Sequence, residues 1–382
     1  MRLCDKELEK SFDYMSSLRR ELHRYPETGF ELPFTCALVC RELESFKIAP
    51  TDRYGKGSIV AEIGSGKEVI ALRADMDALP IEEKTGLEFS SKRKGFMHAC
   101  GHDAHTAVLL AVARYLKAHE NELKRRIRFI FQPAEESSVS GARMMLESGV
   151  LNGVSEVIAA HCDNSIPVGE IGLCSGDYMA ACIPATFTFR GKASHATVPE
   201  EGIDAVAMAV ECYGKLKSMV KKEAGEDLFV WNVGRLCGGN AHNVVPDVCT
   251  MDVSFRFYDL DFAKRVERAA REICDGVAKK FGGSVDVLFD MSTGSVHNDE
   301  ELCNSFKSAL KESAVSIREL KPVMTSEDFG WFSSKTKGIL FRFGTGNNEC
   351  CAALHSDNFN IDEKGMKTAF LAFVSYLISK EE

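Results

Sequence analysis

Short apolar runs alternate with helical patterns along the first part of this chain, and this alternation limits the folds it can adopt. Strand-like runs occur at 68–73, 126–132 and 155–161, and helix-like stretches at 103–119 and 140–149 separate them. The runs are almost continuously apolar, which is typical of parallel strands covered by helices on both faces. The alternation therefore predicts an α/β fold built on a mostly parallel, helix-covered sheet.

The middle of the chain follows a different pattern. Its segments run in the order β-α-β-β-α-β, at 183–191, 202–222, 229–236, 247–259, 260–281 and 283–290. That order is typical of a ferredoxin-like α+β domain. Near 297 the first pattern returns and continues to the last helix. We therefore predict a main domain formed by 1–181 and 297–382, with a ferredoxin-like domain inserted at 182–296.

Charge and hydropathy indicate which partners and which cellular compartment to expect for this chain. The formal net charge of −9 argues against nucleic acid and anionic membranes, which select basic surfaces. No stretch approaches the roughly 20 apolar residues that a membrane span requires. The first residues, MRLCDKELEKSFDYM, are too charged for a signal peptide. We therefore expect a cytoplasmic protein whose fourteen cysteines are mostly free thiols.

Polar side chains follow the ends of the predicted strands. In open parallel sheets, active sites lie beyond the carboxyl ends of the strands. Five separate segments bring acids, imidazoles and a thiol to this edge: Asp75 and Asp77, Glu135 and Glu136, His161, His355, and Cys100 with His102 in MHACGHDAHTA. This convergence predicts a functional site.

Each of these residues also has a purely structural explanation. Glu135 and Glu136 could stabilise the N-terminus of a helix. His161 could be a hydrogen-bonded core histidine, His355 an ordinary loop histidine, and Cys100 an inert buried thiol. No single motif excludes these explanations. The convergence of five segments on one edge favours a site.

The residue types indicate a metal centre. The predicted ligands are side chains suited to zinc, and in part to manganese: Cys100, His102, Glu136, His161 and His355. Gly101 permits the sharp turn that would direct its two neighbours to one point. Five ligands exceed what one tetrahedral ion uses, so we predict two divalent ions, zinc or manganese, with nickel and cobalt left open. Glu135, beside a ligand, is the predicted general base for a metal-activated water.

Seven motifs occur here in an order that resembles the aminoacylase/carboxypeptidase metallopeptidase family: RADMDALPIEEKTG, MHACGHDAHTA, FQPAEE, AAH, GKASHATVPEEGIDA, NVVPD and ALHSDNF. The resemblance extends from LHRYPETGFE (22–31) to the final helix. It is strongest to hippurate hydrolases, auxin-amide hydrolases and N-acetyl-diaminopimelate deacetylases. It implies an α/β catalytic domain that holds two divalent metals, and an inserted lid domain that commonly dimerises.

The resemblance also implies roles for individual residues. The five predicted ligands match the family's ligand positions, and Glu135 matches its general base. Asp75 or Asp77 matches an acidic residue with a catalytic role, and the resemblance does not decide between them. In the related carboxypeptidase branch, a histidine ligand stands at the position of Asp75. This departure leaves the coordination and occupancy of the second metal site open.

Three further residues lie in the inserted domain. His195, which the residues alone would place on a surface loop, is implied to reach across a dimer interface and stabilise the oxyanion. Asn243 and Arg256 are candidates for binding the substrate's carboxylate, a task that suits the guanidinium fork. A salt bridge on the face of a strand is the alternative for Arg256.

These observations predict a metal-dependent amidohydrolase that cleaves the amide bond of N-acyl amino acids with acetyl or aryl-acyl groups. We expect a homodimer formed through the inserted domain. The alternative within enzymes is a dipeptidase or carboxypeptidase with the same metal site and short peptide substrates. A catalytically silent ligand-binding or thiol-regulated protein is a third hypothesis, against which the intact PAEE pair argues.

Overall fold

The computed structural model describes residues 3–225, 228–291 and 293–381. The α-helices in these ranges are α1 (Asp5–Arg24), α2 (Pro33–Ser45), α3 (His102–Ala118), α4 (Gly141–Glu147), α5 (Ala205–Ala224), α6 (Leu260–Phe281), α7 (Glu300–Ala309), α8 (Gly330–Ser333) and α9 (Gly365–Glu381). The strands are β1 (Pro50–Thr51), β2 (Ile59–Ile63), β3 (Val69–Asp75), β4 (Arg126–Gln132), β5 (Val154–Pro167), β6 (Glu170–Leu173), β7 (Gly176–Met179), β8 (Ala181–Arg190), β9 (Ser194–His195), β10 (Phe229–Gly238), β11 (Val244–Val245), β12 (Val248–Phe257), β13 (Ser284–Phe289), β14 (Val296–Asn298), β15 (Ser316–Glu319) and β16 (Lys337–Gly346).

The chain forms two compact units. The larger unit combines the residues up to Tyr178 with Val296–Pro322 and the residues from Asp328 onward. The smaller unit consists of Met179–Ser295 and the short segment Val323–Glu327. That segment joins the smaller unit through hydrogen bonds, among them one from the Ala180 N–H to the Thr325 carbonyl, 3.0 Å long.

The larger unit is built on an eight-stranded sheet in the order β1-β2-β4-β3-β5-β16-β6-β15. Its four central strands, β4, β3, β5 and β16, are parallel to their neighbours in this group. The antiparallel pairs lie towards the margins, where β2 meets β1 and β4, and where β6 meets β16. The parallel centre places the carboxyl ends of β3, β4 and β5 at one edge.

Helices cover this sheet, as the apolar strands require. Every residue of β3 is buried, and α3 is buried around nearly its whole circumference. Helix α3 packs against β3 on one side and against α1, α2 and α9 on others. None of the helices within the described ranges has both the length and the apolar character needed to cross a membrane.

The smaller unit has the predicted β-α-β-β-α-β order. Its antiparallel sheet runs β10-β12-β8-β13, and α5 and α6 pack on one face. Burial alternates along β8 and β12, which is the pattern of strands covered on one side only. The predicted fold class is therefore confirmed. The role of this unit as a lid or dimerisation domain stays a prediction.

Candidate metal centre

The structure brings all five predicted ligands together. Their ligand atoms lie within 4.8 Å of one another in overlapping groups: Cys100, His102 and His161; Cys100, Glu136 and His355; and His102, Glu135 and Glu136. Cys100 Sγ lies 3.4 Å from His161 Nε2, and Glu136 Oε1 lies 3.0 Å from His355 Nε2. Because the groups share members, they form one continuous site at the edge of the central strands.

Gly101 creates the turn that presents two of these side chains. Its φ of 85° lies in the left-handed region that favours glycine. A Cβ at this position would lie 2.3 Å from Cys162 Sγ, so any side chain would displace that thiol. The turn leaves Cys100 just outside α3 and His102 in its first turn, where both are buried. The two side chains can therefore share one site despite their separation of only two residues.

His161 is held in the form that binds a metal. Its Nδ1 lies 2.8 Å from the Cys162 carbonyl, which can only accept, so Nδ1 carries the proton. The lone pair is therefore on Nε2, which faces Cys100 Sγ. Burial lowers the pKa of His161 well below its ordinary value, and the nearby Arg342 lowers it further. The imidazole is neutral, as a ligand must be.

His102 lies in an acidic pocket without a hydrogen-bond partner among the described residues. Its ring nitrogens lie 3.6 Å from Asp77 Oδ1 and 3.8 Å from Asp75 Oδ1, and the side chain is fully buried. Burial lowers its pKa, but the two carboxylates outweigh burial and raise the pKa to about 10. The pocket thus attracts positive charge, and a divalent cation would supply that charge and replace the proton.

The surroundings of Cys100 also favour a bound cation. Burial raises the pKa of its thiol well above the ordinary value, and the Glu136 and Glu135 carboxylates raise it further. A coordinated thiol is deprotonated outright, because the charge of the ion reverses this effect. Divalent ions of the predicted kind fit this site. It combines a buried thiol and surrounding carboxylates with buried imidazole nitrogens that have no hydrogen-bond partner among the described residues.

The loop after β4 carries the acidic pair in a constrained conformation. Ala134 has a φ of 56°, which is rare for a residue with a side chain. The Gly141 N–H donates to the Ala134 carbonyl at 3.1 Å, so the loop closes on itself. A Cβ on Gly141 would lie 1.7 Å from the Pro133 carbonyl oxygen. Only glycine at this position permits the approach.

Asp77 fixes the acidic pair from the opposite side. Its Oδ1 accepts the N–H of Glu135 at 2.9 Å, and its Oδ2 accepts the N–H of Glu136 at 3.1 Å. The same carboxylate lies beside His102. Asp77 therefore connects the loop backbone with a predicted ligand.

Asp75 has different partners. It accepts a hydrogen bond from His105 Nδ1 at 2.6 Å, while His105 Nε2 accepts the Cys162 N–H at 2.9 Å. His105 stands among the ligand-type groups by distance, but both of its ring nitrogens are engaged, so it is not a candidate ligand. Burial raises the pKa of Asp75, but Arg73 and then His102 lower it by more, to well below the ordinary value. Asp75 therefore stays ionised.

His355 closes the site on its accessible side. Its φ of 65° is again left-handed, and its N–H donates to the Ala99 carbonyl at 2.8 Å. Its side chain is half exposed, whereas that of Glu135 is only 10% exposed. The backbone bond attaches the 355 turn to the segment that precedes Cys100. Among the five gathered side chains, that of His355 is the most exposed.

His195 and Asn243 lie together in the smaller unit. His195 lies on β9, and Asn243 immediately precedes β11, the strand that pairs with β9. The Ala196 N–H donates to the Asn243 carbonyl at 3.0 Å. His195 is exposed, and its Nδ1 accepts the Thr197 N–H at 3.3 Å. That bond leaves the ring proton on Nε2, which is free of hydrogen bonds to described residues.

Arg256 lies on β12 of the smaller unit. Its Nη1 donates to the Met324 carbonyl at 3.0 Å and to Ser326 Oγ at 3.2 Å. These neutral acceptors belong to the short segment that returns to this unit. Arg256 therefore supports that segment.

A buried network that was not predicted from the sequence lies behind the site. Arg73 Nε donates to Gln132 at 2.9 Å, Nη1 to Asp75 at 2.6 Å and Nη2 to Asp328 at 3.1 Å, and all four side chains are buried. An available signal was the arginine within the apolar run VIALRAD, because a buried guanidinium requires acceptors.

Comparison with known proteins identifies the family. The sequence model of the family described as "Peptidase family M20/M25/M40" matches residues 71–379, which is most of the chain. The chain belongs to this family. Among its relatives, the N-acetylcysteine deacetylase of Bacillus subtilis (strain 168) is 35% identical over 95% of this chain and 95% of its own length. Thermostable carboxypeptidase 1 of Saccharolobus solfataricus is 33% identical, over 94% and 93% of the two chains.

A solved structure supports the same assignment. The Bacillus subtilis YXEP protein, described as a dinuclear metal binding peptidase from the M20 family, matches with a TM-score of 0.84 and 33% identity. The match covers 97% of this chain and 98% of that one. The predicted family and the prediction of a hydrolytic enzyme are thus confirmed.

Proposed function

We propose that this M20 protein is a metal-dependent amidohydrolase that cleaves the amide bond of N-acyl amino acids carrying acetyl or aryl-acyl groups. The observation that carries the proposal is the pair of ligand groups that share Cys100, with Glu135 directly beside them. The deacetylase name of a relative at 35% identity supports the substrate class.

The metal ions would be held by the five gathered side chains: Cys100, His102, Glu136, His161 and His355. We propose two ions per subunit, zinc or manganese, with nickel or cobalt as further candidates. A thiolate with imidazoles favours zinc, and imidazole with carboxylate also suits manganese. When bound, such ions polarise the amide carbonyl and lower the pKa of a water molecule.

Glu135 is the proposed general base. Its carboxylate would take a proton from the attacking water and return it to the leaving nitrogen. Its backbone N–H is held by Asp77, and its Oε2 lies 4.0 Å from His102 Nε2. Adjacent carboxylates can thus divide the work: Glu136 binds metal, and Glu135 transfers the proton.

Of the two aspartates that the sequence left undecided, we propose that Asp77 has the larger effect on catalysis. It contacts the backbone of both glutamates and lies 3.6 Å from His102. Asp75 would instead hold His105 and balance Arg73. Both would act by positioning other groups.

The inserted domain at 182–296 is proposed as a lid and dimerisation domain. His195 would donate its Nε2–H to the oxyanion in the active site of a partner protomer, and the bond from Thr197 supports that tautomer. Asn243 and Arg256 would bind the substrate's carboxylate. We also propose a cytoplasmic location, which the absence of a disulfide bond among the cysteines of the described residues supports.

Mixing two inactive variants tests both the dimer and the role of His195. We expect His195→Ala to lower kcat by about 10²–10³-fold. When it is unfolded and refolded together with an equal amount of Glu135→Gln, half of the dimers pair the two variants, and each such dimer has one complete site. Activity should then return to about a quarter of wild type. A mixture as inactive as its components, or a monomeric wild-type protein, would contradict this arrangement.

A substrate panel tests the proposed reaction. N-acetyl and benzoyl amino acids are compared with dipeptides, using enzyme loaded with zinc, manganese or cobalt. We expect kcat/KM for the best N-acyl amino acid to exceed that for the best dipeptide by about 10-fold or more. The carboxypeptidase name of a relative at 33% identity supports the alternative, a dipeptidase or carboxypeptidase. A preference for dipeptides would establish that alternative.

A further inference from the structure

Asp328 lies at the centre of the buried network behind the metal centre. Its Oδ1 accepts hydrogen bonds from Arg73 Nη2 at 3.1 Å and from Gln132 Nε2 at 2.8 Å. Its Oδ2 accepts from Ser140 Oγ at 2.7 Å and from the Ala142 N–H at 3.1 Å. The side chain is 1% exposed. One buried carboxylate therefore joins three separate segments of the larger unit.

Two of these segments are the ends of the loop that carries the acidic pair. Gln132 is the last residue of β4, and Ser140 immediately precedes α4. Asp328 thus holds both ends of the 133–140 loop on one side chain, while Asp77 holds the N–H groups of Glu135 and Glu136 in its middle.

The loop needs such support because its backbone is strained. Ala134, which precedes Glu135, has a φ of 56°. A strained residue persists only where the surrounding structure over-determines its conformation. Without Asp328, the two ends of the loop lose their common acceptor, and relaxation at Ala134 would move the neighbouring glutamates.

Arg73 connects the same carboxylate to the other side of the metal centre. Its guanidinium lies between Asp328 and Asp75, and Asp75 in turn holds His105 and lies beside His102. Loss of one carboxylate leaves a buried cation with fewer acceptors. A change at Asp328 would therefore reach the site through the loop and through Arg73.

We propose that Asp328 is a positioning residue of the metal centre, which fixes the 133–140 loop and thereby the placement of Glu136 towards the metal and Glu135 towards the water. This inference rests on the proposed function. Asp328 itself touches neither metal nor substrate. Its effect should appear in metal affinity and kcat, with KM little changed.

The first test is Asp328→Asn, which keeps the size of the side chain but turns one acceptor into a donor that faces other donors. We expect zinc affinity, measured by competition with a chromogenic chelator, to weaken about 10- to 100-fold. For the zinc-saturated variant, we expect kcat to fall by about 100-fold, because a small misplacement of reacting groups has effects of this size.

A second exchange should restore the network. In the double variant Asp328→Asn with Gln132→Glu, the new amide donates to the new carboxylate, which also accepts from Arg73. The net charge of the network is unchanged. We expect zinc affinity and kcat to recover at least 10-fold relative to Asp328→Asn. Replacing a residue that supports a metal ligand by hydrogen bonding changes metal affinity or activity by a similar factor. Recovery in the double variant would show that the hydrogen bonds of this network, and not the volume of either side chain, carry the effect.

Asn298→Ala is the matched control. Asn298 is also a buried polar residue of the larger unit, and its side chain bonds to Cys174 and Leu340. Its removal should lower the melting temperature and leave zinc affinity unchanged. If Asp328→Asn yields no folded protein, Ser140→Ala takes its place, with an expected loss of zinc affinity of about threefold or more.

The outcomes separate this inference from the proposed function. If the wild type binds zinc and hydrolyses N-acyl amino acids, but Asp328→Asn or its substitute loses no more zinc affinity than Asn298→Ala, only the role of Asp328 is wrong. Failure of the double variant to recover also overturns it. If the wild type neither binds zinc nor hydrolyses the amides, the proposed function itself is wrong.

Discussion

Replacing Glu135 by glutamine is expected to lower kcat for N-acyl amino acids by about 10²–10⁴-fold while the zinc content stays at the wild-type level. Glutamine keeps the size of the side chain, and it retains the backbone N–H of residue 135 that donates to the Asp77 carboxylate. The amide cannot take a proton from water. Steady-state kinetics together with metal analysis of the same preparation would measure both effects.

The matched control for this variant is Glu147→Gln. Glu147 is an exposed carboxylate on α4 of the same unit, and the ion pair found for it among the described residues is with Arg143, one turn earlier in its own helix. Its replacement should leave kcat unchanged. Near-normal turnover in the Glu135 variant would show that another group accepts the proton. A loss of zinc from that variant would instead show that Glu135 is itself a ligand.

Cys100→Ala should have the second large effect. Cys100 Sγ is shared by two of the candidate ligand groups, so its loss should weaken the binding of both ions. We expect zinc affinity to fall by more than about 100-fold, beyond what the loss of an outer hydrogen-bond partner causes. Activity at limiting zinc should be lost in parallel. Chelator competition and activity assays at buffered zinc concentrations would measure this.

Cys303→Ala provides the control for a buried thiol. Cys303 is fully buried on α7 in the same unit, so its replacement removes a similar side chain away from the ligand groups. Zinc affinity should not change in this variant. If both cysteine variants bind zinc as the wild type does, the thiol of Cys100 is not a ligand and the ligand set is wrong.

The sequence predicted the elements with strong patterns and missed the short ones. Strand β4 begins and ends where its apolar run does, at 126–132, and β3 lies within two residues of its prediction. The short marginal strands β2 and β6 were not predicted. Each has at most five residues, which is too few for periodicity to separate a strand from a loop.

The meeting of Glu136 and His161 at one edge was predictable because the topology of a parallel sheet determines where strand ends meet. Once β3, β4 and β5 are parallel neighbours, the residues after them lie together whatever the length of the intervening helices. Asp328 could not be found in this way. It follows no strand, and its partners Arg73 and Gln132 are distant in sequence, so only the packed structure brings them together.

The two aspartates show a second limit of the sequence. Asp75 and Asp77 are two residues apart and chemically identical, and both are buried. Their partners differ because the extended chain ends at Asp75, after which Asp77 faces the loop that follows β4. That difference depends on tertiary contacts, which a local pattern does not encode.

Anomalous diffraction at the zinc edge, from crystals of the zinc-loaded protein, would locate the metal ions themselves. We expect two peaks about 3.5–4 Å apart, which Cys100, His102, Glu136, His161 and His355 coordinate between them at roughly 2.0–2.3 Å. Two such peaks would place the divalent ions beside Glu135. A fully loaded crystal without an anomalous peak at these five side chains would contradict the metal centre and the function derived from it.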